Sequence, residues 1–436
     1  MTNYMSCIEE RDHVFLFNSM VGGGIVFDRA IMQYLDHSAQ DYRCVYLKNS
    51  CPEGVKKLLF EKGLLNTYPS RRINETVSET NTDKEKAKMI GSLRLTLTNN
   101  CNCVCEYCYV DREYHDKNFL SEKDSCYFIE RIIKMGGNSK YVIRFFGGEP
   151  MLYMDTISNV IKYCNEKLND MSFEYIINTN LQTVTNSFFE IVTKPNVKVV
   201  VSLDSVKEIN DVYRRSLVAD SYYDTTVANL RKITKENANY VVAAVVTNMN
   251  RKSIQQFLEL LVKNGVKNVG LNCARMSGED ILSFDEELVN DLYSAYIWGV
   301  NNGINVSGYW MLPFERIFTG SDGFYCGGLG FELDLRPDRK IYSCVGAKKP
   351  IGSLDKIEEI FSGDDYRRIG QRKAGNIKEC SDCYINGLCA GECACNAEYK
   401  TGNYWGIDKN QCFFHQSLTE KLIKYHILSA DRIEHG

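Results

Sequence analysis

Six successive pairings of an apolar strand segment with an amphipathic run, between residues 92 and 308, constrain the fold of this 436-residue chain most strongly. The strand segments are SLRLTLT (92–98), YVIRFF (141–146), FEYIIN (173–178), VKVVVSL (197–203), YVVAAVVT (240–247) and VKNVGLN (266–272). Runs between them, such as FIERIIKM and IQQFLELLVKNG, are typical of helices. Parallel strands need such crossovers, so the pattern predicts an α/β fold with an open, partial (β/α)6 barrel. Functional residues of such barrels gather where strands end and loops begin.

Three cysteines, Cys101, Cys105 and Cys108, follow the first predicted strand in the segment LTLTNNCNCVCEYCY. Their spacing places three thiolates on one tight loop. Three thiolates hold three irons of a cubane iron–sulfur cluster and leave the fourth iron free for another ligand. A zinc loop is the alternative, although zinc sites normally show paired C-x2-C spacings and four ligands. We interpret Cys103, which lies inside the motif, as a bystander thiol.

An aromatic residue, Tyr107, directly precedes the third cysteine. With it, the loop resembles the C-x3-C-x-aromatic-C hallmark of the radical S-adenosylmethionine (SAM) superfamily. The resemblance implies that the three cysteines hold a [4Fe-4S] cluster whose open iron chelates SAM. It also implies reductive cleavage of SAM to methionine and a 5'-deoxyadenosyl radical, which removes a hydrogen atom from an unactivated C–H bond.

A GGEP sequence directly follows the second predicted strand, as Gly147, Gly148, Glu149 and Pro150. The glycines allow close backbone approach to a ligand, and the proline stiffens the turn. In the radical SAM family this stretch binds the amino group of the SAM methionine. The resemblance therefore extends to the second strand.

Polar residues end the third and fourth predicted strands. Asn180 follows the third strand, and Ser202 and Asp204 end the fourth. By resemblance to the family, these residues would contact SAM, and Arg214 would bind its carboxylate through a charge-assisted contact. Arg215 is an adjacent alternative to Arg214. A hydrogen-bonded strand end is the alternative role for the other three residues.

A second cysteine system lies in the C-terminal region and comprises Cys326, Cys344, Cys380, Cys383, Cys389, Cys393 and Cys412. Its C-x2-C-x5-C-x3-C core resembles the SPASM domain, a twin-cluster extension of radical SAM enzymes that modify peptides and proteins. The resemblance implies one auxiliary [4Fe-4S] cluster on Cys380, Cys383, Cys389 and Cys412. It implies another on Cys326, Cys344 and Cys393, for a total of three clusters in the chain.

The second auxiliary set has only three matching ligands. Cys395 is a candidate fourth ligand; alternatively, the iron is open to a substrate thiolate or another group, and we favour the open site from the sequence. The sequence also departs from the family at Arg339, where a glycine usually stands five residues before the second cysteine. A zinc ribbon is the alternative for the whole region.

The sequence divides into four regions. Residues 1–70 contain short strands around FLFNSMVGGGIVFD, a predicted helix at Asp28–Leu35 and the segment PEGVKKLLFEKGLLN. The run Gly22–Gly24 predicts a hairpin turn rather than a phosphate loop. This region resembles a small, winged-helix-like leader-peptide recognition domain, with a purely structural cap as the alternative. We expect a linker at 71–91, the barrel at 92–308 and the SPASM domain at 309–436.

Composition limits the class of protein. The chain has 18 cysteines, and residues 1–12 contain no apolar signal segment. Together these features predict a cytoplasmic protein with metal clusters rather than disulfides. A formal net charge of -4 suggests no partner nucleic acid, and no apolar run is long enough to span a membrane. By family habit, the expected reductant is a ferredoxin or a flavodoxin.

These resemblances imply a radical SAM maturase that acts on a ribosomally made precursor peptide with a leader sequence. The expected product is an oxidative cross-link, a thioether first, or a carbon–carbon or carbon–oxygen bond. An anaerobic sulfatase-maturating enzyme, which makes formylglycine, is one alternative. A peptide epimerase is another, with Cys273 as its candidate thiol hydrogen donor. From a different class, a non-catalytic peptide-binding scaffold with structural metals is the remaining alternative.

Overall fold

The computed structural model describes residues 4–39, 41–65, 82–108, 110, 118–276, 278 and 280–428. Most of the predicted linker at 71–91 lies outside the described residues. Its last part forms helix α2 (Asp83–Met89), which begins with a capping box between Thr82 and Glu85.

All six predicted strands are present, and each pairs in parallel with the next. They are β6 (Ser92–Thr96), β8 (Lys140–Phe146), β9 (Ser172–Thr179), β10 (Val197–Ser202), β12 (Tyr240–Val246) and β13 (Asn268–Cys273). The crossover helices are α3 (Glu122–Gly136), α4 (Met154–Lys167), α5 (Asn186–Val192), α6 (Lys207–Tyr213), α7 (Tyr222–Lys235), α8 (Ile254–Lys263) and α9 (Glu286–Asn302). Two short strands, β7 (Cys103–Cys105) and β11 (Arg214–Ser216), pair separately in the loops.

The two faces of this sheet differ in burial. In β8, Tyr141, Ile143 and Phe145 are fully buried against the helices, whereas Arg144 and Phe146 on the other face are only half-buried. The same alternation runs through β9, β10 and β12. The inner face therefore bounds a lumen with room for ligands, unlike the packed interior of a closed eight-stranded barrel.

The sheet continues beyond the six predicted strands. Strand β14 (Asn305–Ser307) extends it in parallel beside β13, and β15 (Glu332–Leu335) pairs in parallel with β6. Strands β16 (Lys340–Tyr342) and β17 (Gly352–Ser353) complete a ten-stranded sheet. Because β15 pairs with the edge of β6, the sheet includes residues on both sides of the predicted boundary between the barrel (92–308) and the SPASM domain (309–436). An uncovered β6 would leave its backbone hydrogen-bonding groups unpaired.

The N-terminal region is a small antiparallel unit with its own core. A meander of β1 (Met5–Glu10), β2 (His13–Asn18) and β3 (Gly24–Asp28) precedes a hairpin of β4 (Leu35–His37) and β5 (Val45–Leu47) and helix α1 (Glu53–Glu61). Gly22 and Gly23 have φ of 87° and 79°, which confirms the predicted hairpin turn. The predicted helix at Asp28–Leu35 is a 3-10 helix, Arg29–Tyr34.

The C-terminal region contains four short helices and one long helix. The short helices are α10 (Leu312–Thr319), α11 (Asp364–Gln371), α12 (Asn386–Cys389) and α13 (Ala394–Thr401), and the long helix is α14 (Lys409–His426). The N-terminal unit packs on this region: the Arg43 guanidinium lies 3.9 Å from the ring centre of Tyr384 and 3.2 Å from Glu420. Within the described residues, no helix has the length and apolarity needed to cross a membrane.

Candidate active site at the carboxyl ends of the strands

The loop of Cys101, Cys105 and Cys108 lies at the carboxyl end of β6, where the sequence predicted it. It is anchored at two points. Its β7 segment pairs antiparallel with β11, with Cys105 opposite Arg214. Thr98, which precedes the three cysteines, forms an antiparallel β-bridge with Phe119, which follows them. Cys101 and Cys105 are half-buried and Cys108 is exposed. The loop is thus held by the backbone while its thiols stay accessible.

Cys103 differs from its neighbours. Its thiol is buried and accepts a hydrogen bond from Asn180 Nδ2 at 3.3 Å. A hydrogen bond from the Cys103 thiol is the largest of the effects that lower the pKa of Cys101. Cys103 is thus a buried neighbour of Cys101, and its assignment as a bystander thiol stays a prediction.

The GGEP loop packs backbone to backbone on the cysteine loop. The Gly148 amide donates to Thr98 O at 2.7 Å, and the Glu149 amide donates to Asn100 O at 2.9 Å. A Cβ atom on Gly147, whose φ is 139°, would lie 2.3 Å from Thr98 O, and one on Gly148 would lie 2.2 Å from Asn100 O. The glycines are thus required by the cysteine loop itself, a constraint that the sequence did not reveal.

The Glu149 carboxylate joins the GGEP loop to the end of β9. It accepts hydrogen bonds from Met151 N at 3.0 Å, Thr179 Oγ1 at 2.8 Å and Asn180 N at 2.7 Å. Burial raises the pKa of Glu149 to about 7, while these donors favour its charged form. Pro150 follows as the first residue of a short 3-10 helix.

Asp204 and Arg214 form a buried, bidentate ion pair. Arg214 Nε and Nη2 donate to the two carboxylate oxygens at 2.7 and 3.1 Å, and Nη1 lies 3.6 Å from Cys105 Sγ. The Tyr107 hydroxyl also donates to Asp204, and its ring lies 5.3 Å from the guanidinium. The structure thus connects these residues with each other beside the cysteine loop; their contacts with SAM stay a prediction.

The remaining predicted contacts lie on the same edge. Asn180 Nδ2 donates to Asn102 Oδ1 at 2.7 Å and lies 3.7 Å from Cys101 Sγ. Ser202 is the last residue of β10, and its half-buried side chain lies on the inner face. The alternative arginine, Arg215, is exposed, so the structure favours Arg214 as the arginine of this site.

Sequence reasoning missed a cationic residue of the lumen, Arg275, which follows β13. Its Nη2 donates to the Tyr325 hydroxyl at 2.8 Å, and its guanidinium lies 4.5 Å from the Tyr309 ring centre. No carboxylate in the described part of the chain forms an ion pair with it. In the sequence, the only feature that pointed to Arg275 was its position just after the last predicted strand.

The C-terminal cysteines form two groups. Burial is the main cause of the raised pKa of Cys412, and charge repulsion from Cys389, Cys380 and Cys383 adds to it, so these four thiols are neighbours. Cys326, Cys344, Cys393 and Cys395 line a separate cavity. Each group thus contains the residues that the sequence assigned to it, and the second also contains Cys395.

Arg339, which stands where the family usually has a glycine, adopts an unusual backbone conformation. Arg339 has a φ of 60°, a left-handed conformation that favours glycine. Its guanidinium binds Asp355 at 2.7 Å and also contacts Asp124. Arg339 thus adopts a backbone conformation that glycine adopts without strain.

The zinc alternatives require a compact site. Zinc holds four ligands at about 2.0–2.3 Å around one point. Among the residues that the structure describes, no three His, Cys, Asp or Glu side chains converge in this way.

Residues 95–261, from β6 through α8, match the model of the radical SAM superfamily. This match identifies a radical SAM domain within the chain. Such a domain implies SAM and a [4Fe-4S] cluster as cofactors and an enzyme that performs radical chemistry. The three cysteine thiols at the carboxyl end of β6, two half-buried and one exposed, fit these cofactors.

Two relatives and a solved structure extend the comparison. The radical SAM cyclopropyl synthase TigE of Paramaledivibacter caminithermalis is 27% identical, over 97% of this chain and 95% of TigE. A cysteine-type anaerobic sulfatase-maturating enzyme of Clostridium novyi is 24% identical, over 71% of this chain and 89% of that enzyme. The crystal structure of Streptococcus suis SuiB bound to precursor peptide SuiA has a TM-score of 0.57 at 17% identity, over 94% and 99% of the two chains. The last similarity shows a shared fold.

Proposed function

We propose that this radical SAM enzyme modifies a ribosomally made precursor peptide by forming a new bond at an unactivated carbon. The observation that carries the proposal is a three-cysteine loop held at the rim of an accessible lumen. Similarity to TigE over nearly the full length of both chains supports a synthase of this kind. The precursor peptide bound to SuiB, which has the same fold, supports a peptide as the substrate class.

Cys101, Cys105 and Cys108 would hold the SAM-binding cluster. When bound, the cluster and SAM supply a carbon radical that removes a hydrogen atom from the substrate. Arg214 and Asp204 keep the Cys105 side of the loop in place, and the Glu149 carboxylate holds the GGEP loop to the end of β9. The SAM contacts that we propose are Tyr107, Gly147, Gly148, Glu149, Pro150, Asn180, Ser202, Asp204 and Arg214.

The inner face of the sheet would orient the peptide. Arg275 contacts Tyr309 and Tyr325, and Tyr325 directly precedes Cys326, which lines the C-terminal cysteine cavity. Bond formation removes two hydrogens in total from the peptide, so a proton and an electron must also leave. The C-terminal cysteines are the residues that would hold the electron acceptors, as two auxiliary [4Fe-4S] clusters in a SPASM arrangement.

The N-terminal unit would bind the leader of the precursor. It has its own core, and β3 is an outer strand of its meander. Extended peptides bind proteins by adding a strand to such an edge. A ferredoxin or a flavodoxin would supply the initial electron.

Two products are candidates for this reaction. The sequence favours a thioether cross-link, and the relative TigE, named as a cyclopropyl synthase, favours a carbon–carbon bond that closes a three-membered ring. Both products lack two hydrogens relative to the precursor. They differ at the peptide's cysteine thiol, which a thioether consumes and a cyclopropane leaves free.

A second candidate function is the oxidation of a protein side chain to formylglycine, favoured by the Clostridium novyi relative. Its product carries an aldehyde, which hydrazide reagents label. Of the remaining alternatives, peptide epimerisation requires a thiol donor such as Cys273, and it leaves the peptide mass unchanged in ordinary water.

The test is anaerobic co-expression with a short peptide encoded beside this chain, followed by mass spectrometry. The proposal predicts the loss of two hydrogen atoms at each modified position and no reaction with hydrazide. Labelling of thiols by iodoacetamide then separates a thioether from a cyclopropane. An aldehyde product, or an unmodified peptide with fully reconstituted enzyme, would contradict the proposal.

A further inference from the structure

We propose that Cys395 is the fourth thiolate ligand of the cluster that Cys326, Cys344 and Cys393 would hold, so that this cluster has no open iron. The inference deepens the proposed function and rests on its auxiliary clusters. It replaces the reading that we favoured from the sequence, in which the iron stays open to a substrate thiolate or another group.

The four cysteines share one cavity. Its volume is about 530 Å³ including its open mouth, and of the described residues that line it, only these four carry thiols. They come from three separate parts of the chain. Cys326 precedes a 3-10 helix, Cys344 follows β16, and Cys393 and Cys395 flank the first residue of α13. The fold thus brings Cys395 to the same place as the three predicted ligands.

The Cys395 thiol is directed at the predicted ligands. Its sulfur lies 3.5 Å from Cys344 Sγ, and its thiol also hydrogen-bonds with Cys393. If Cys395 had no role in the site, its thiol could point in many other directions from the first turn of α13. The direction observed places its sulfur between two ligands of the same set.

The surrounding backbone fixes this position. Asn396, the next residue, accepts a hydrogen bond from Met276 N at 2.8 Å, which attaches the start of α13 to the barrel. A Cβ on Gly346 would lie 3.3 Å from the Cys395 Cβ, and one on Gly328 would lie 2.9 Å from the Cys344 Cβ. Glycine at these two positions therefore leaves room for the cysteines.

The charges around the cavity suit a fully thiolate-ligated cluster. Lys348, Lys349 and Arg368 line the cavity and outnumber Glu398, the one acidic residue among the described residues that line it. Helix α13 points its amino end, with its partial positive charge, at the thiols. Four thiolates give a cluster net negative charge, which these groups offset. Ligation by Cys395 releases its thiol proton to solvent and replaces an exchangeable ligand with sulfur. No electron is transferred in that step.

If cysteines ligate all four irons of this cluster, the cluster cannot bind the peptide directly. The peptide would not bind to this iron, so the lumen walls would have to position it. The cysteine set would then serve electron transfer only, since a fully ligated cluster offers no coordination site.

The test uses the full chain with Cys101, Cys105 and Cys108 replaced by alanine, which leaves only the auxiliary sets. After anaerobic reconstitution, iron content is measured, and EPR spectra of the dithionite-reduced protein are recorded with and without imidazole. We expect about eight irons per chain and spectra that imidazole does not change. With Cys395→Ala added, imidazole should shift the spectrum of one cluster. Ferricyanide should then release one iron and produce a [3Fe-4S] signal.

Cys51→Ala in the same background is the matched control, because Cys51 is a buried thiol of the N-terminal unit; it should behave as the parent. A parent whose spectrum responds to imidazole as Cys395→Ala does would overturn the inference, and this arm does not require the Cys395 variant to fold. A parent that binds no iron would instead show that the auxiliary clusters are absent. The proposed function would then fail in that part together with the inference.

Discussion

At the scale of single residues, the site depends on polar groups whose partners are other residues of the site. Asp204 shows this most clearly: its carboxylate accepts hydrogen bonds from Arg214, from Tyr107 and from Val245 N at 2.8 Å on β12. The sequence placed Asp204 and Arg214 at one edge of the sheet. Their pairing could not be predicted, because it depends on the three-dimensional approach of β11 to the end of β10.

Asp204→Ala should destabilise the protein by about 3 kcal/mol, because it leaves the Arg214 guanidinium buried without its partner. Urea unfolding under anaerobic conditions measures this change. Glu174→Ala removes an exposed ion pair with Lys140 and should change stability by less than about 0.5 kcal/mol. Equal changes in the free energy of unfolding would show that the buried ion pair contributes no more to stability than the exposed one.

At the scale of elements, period-two and helical patterns were sufficient to predict β6, β8, β9, β10, β12 and β13 and their covering helices. The short strands β15 to β17 escaped prediction because segments of two to four residues carry little periodic signal. The GGEP loop was located correctly. Its tight packing on the cysteine loop was not foreseen, since sequence spacing does not show which two backbones meet.

Gly148→Ala should separate these two loops. Its added Cβ would lie 2.2 Å from Asn100 O, so the backbone must move, at a cost of about 2 kcal/mol. We expect reduced thermal stability and loss of the EPR change that SAM produces in the reduced enzyme. Gly91→Ala is the matched control, because its Cβ would meet no atom within 4 Å. Unchanged SAM binding in Gly148→Ala would refute this account of the glycine.

At the scale of the whole molecule, the barrel and the C-terminal region share one sheet. Strand β15 covers β6, with Leu333 and Leu335 fully buried, and Lys86 of α2 donates to Phe361 O at 3.0 Å. The sequence predicted the three structured regions, but it could not show that the last one supplies strands to the barrel. The cysteines that we propose as cluster ligands therefore lie on both parts of one continuous sheet and the loops that it carries.

A chain ending at residue 308 should not form a soluble barrel, because the edge of β6 would be exposed. Size-exclusion chromatography should show aggregates, whereas the full chain should elute as a defined species. A monodisperse truncated chain with native helical circular dichroism would contradict the role of β15.

The central claim is that Cys101, Cys105 and Cys108 hold an iron–sulfur cluster that cleaves SAM. The most direct measurement is the 5'-deoxyadenosine formed when the anaerobically reconstituted enzyme receives SAM and dithionite. We predict iron in the purified protein and a steady release of 5'-deoxyadenosine. Replacing any one of the three cysteines with alanine should lower that release at least about 100-fold. Zinc in place of iron, or equal release from the cysteine variants, would contradict the claim.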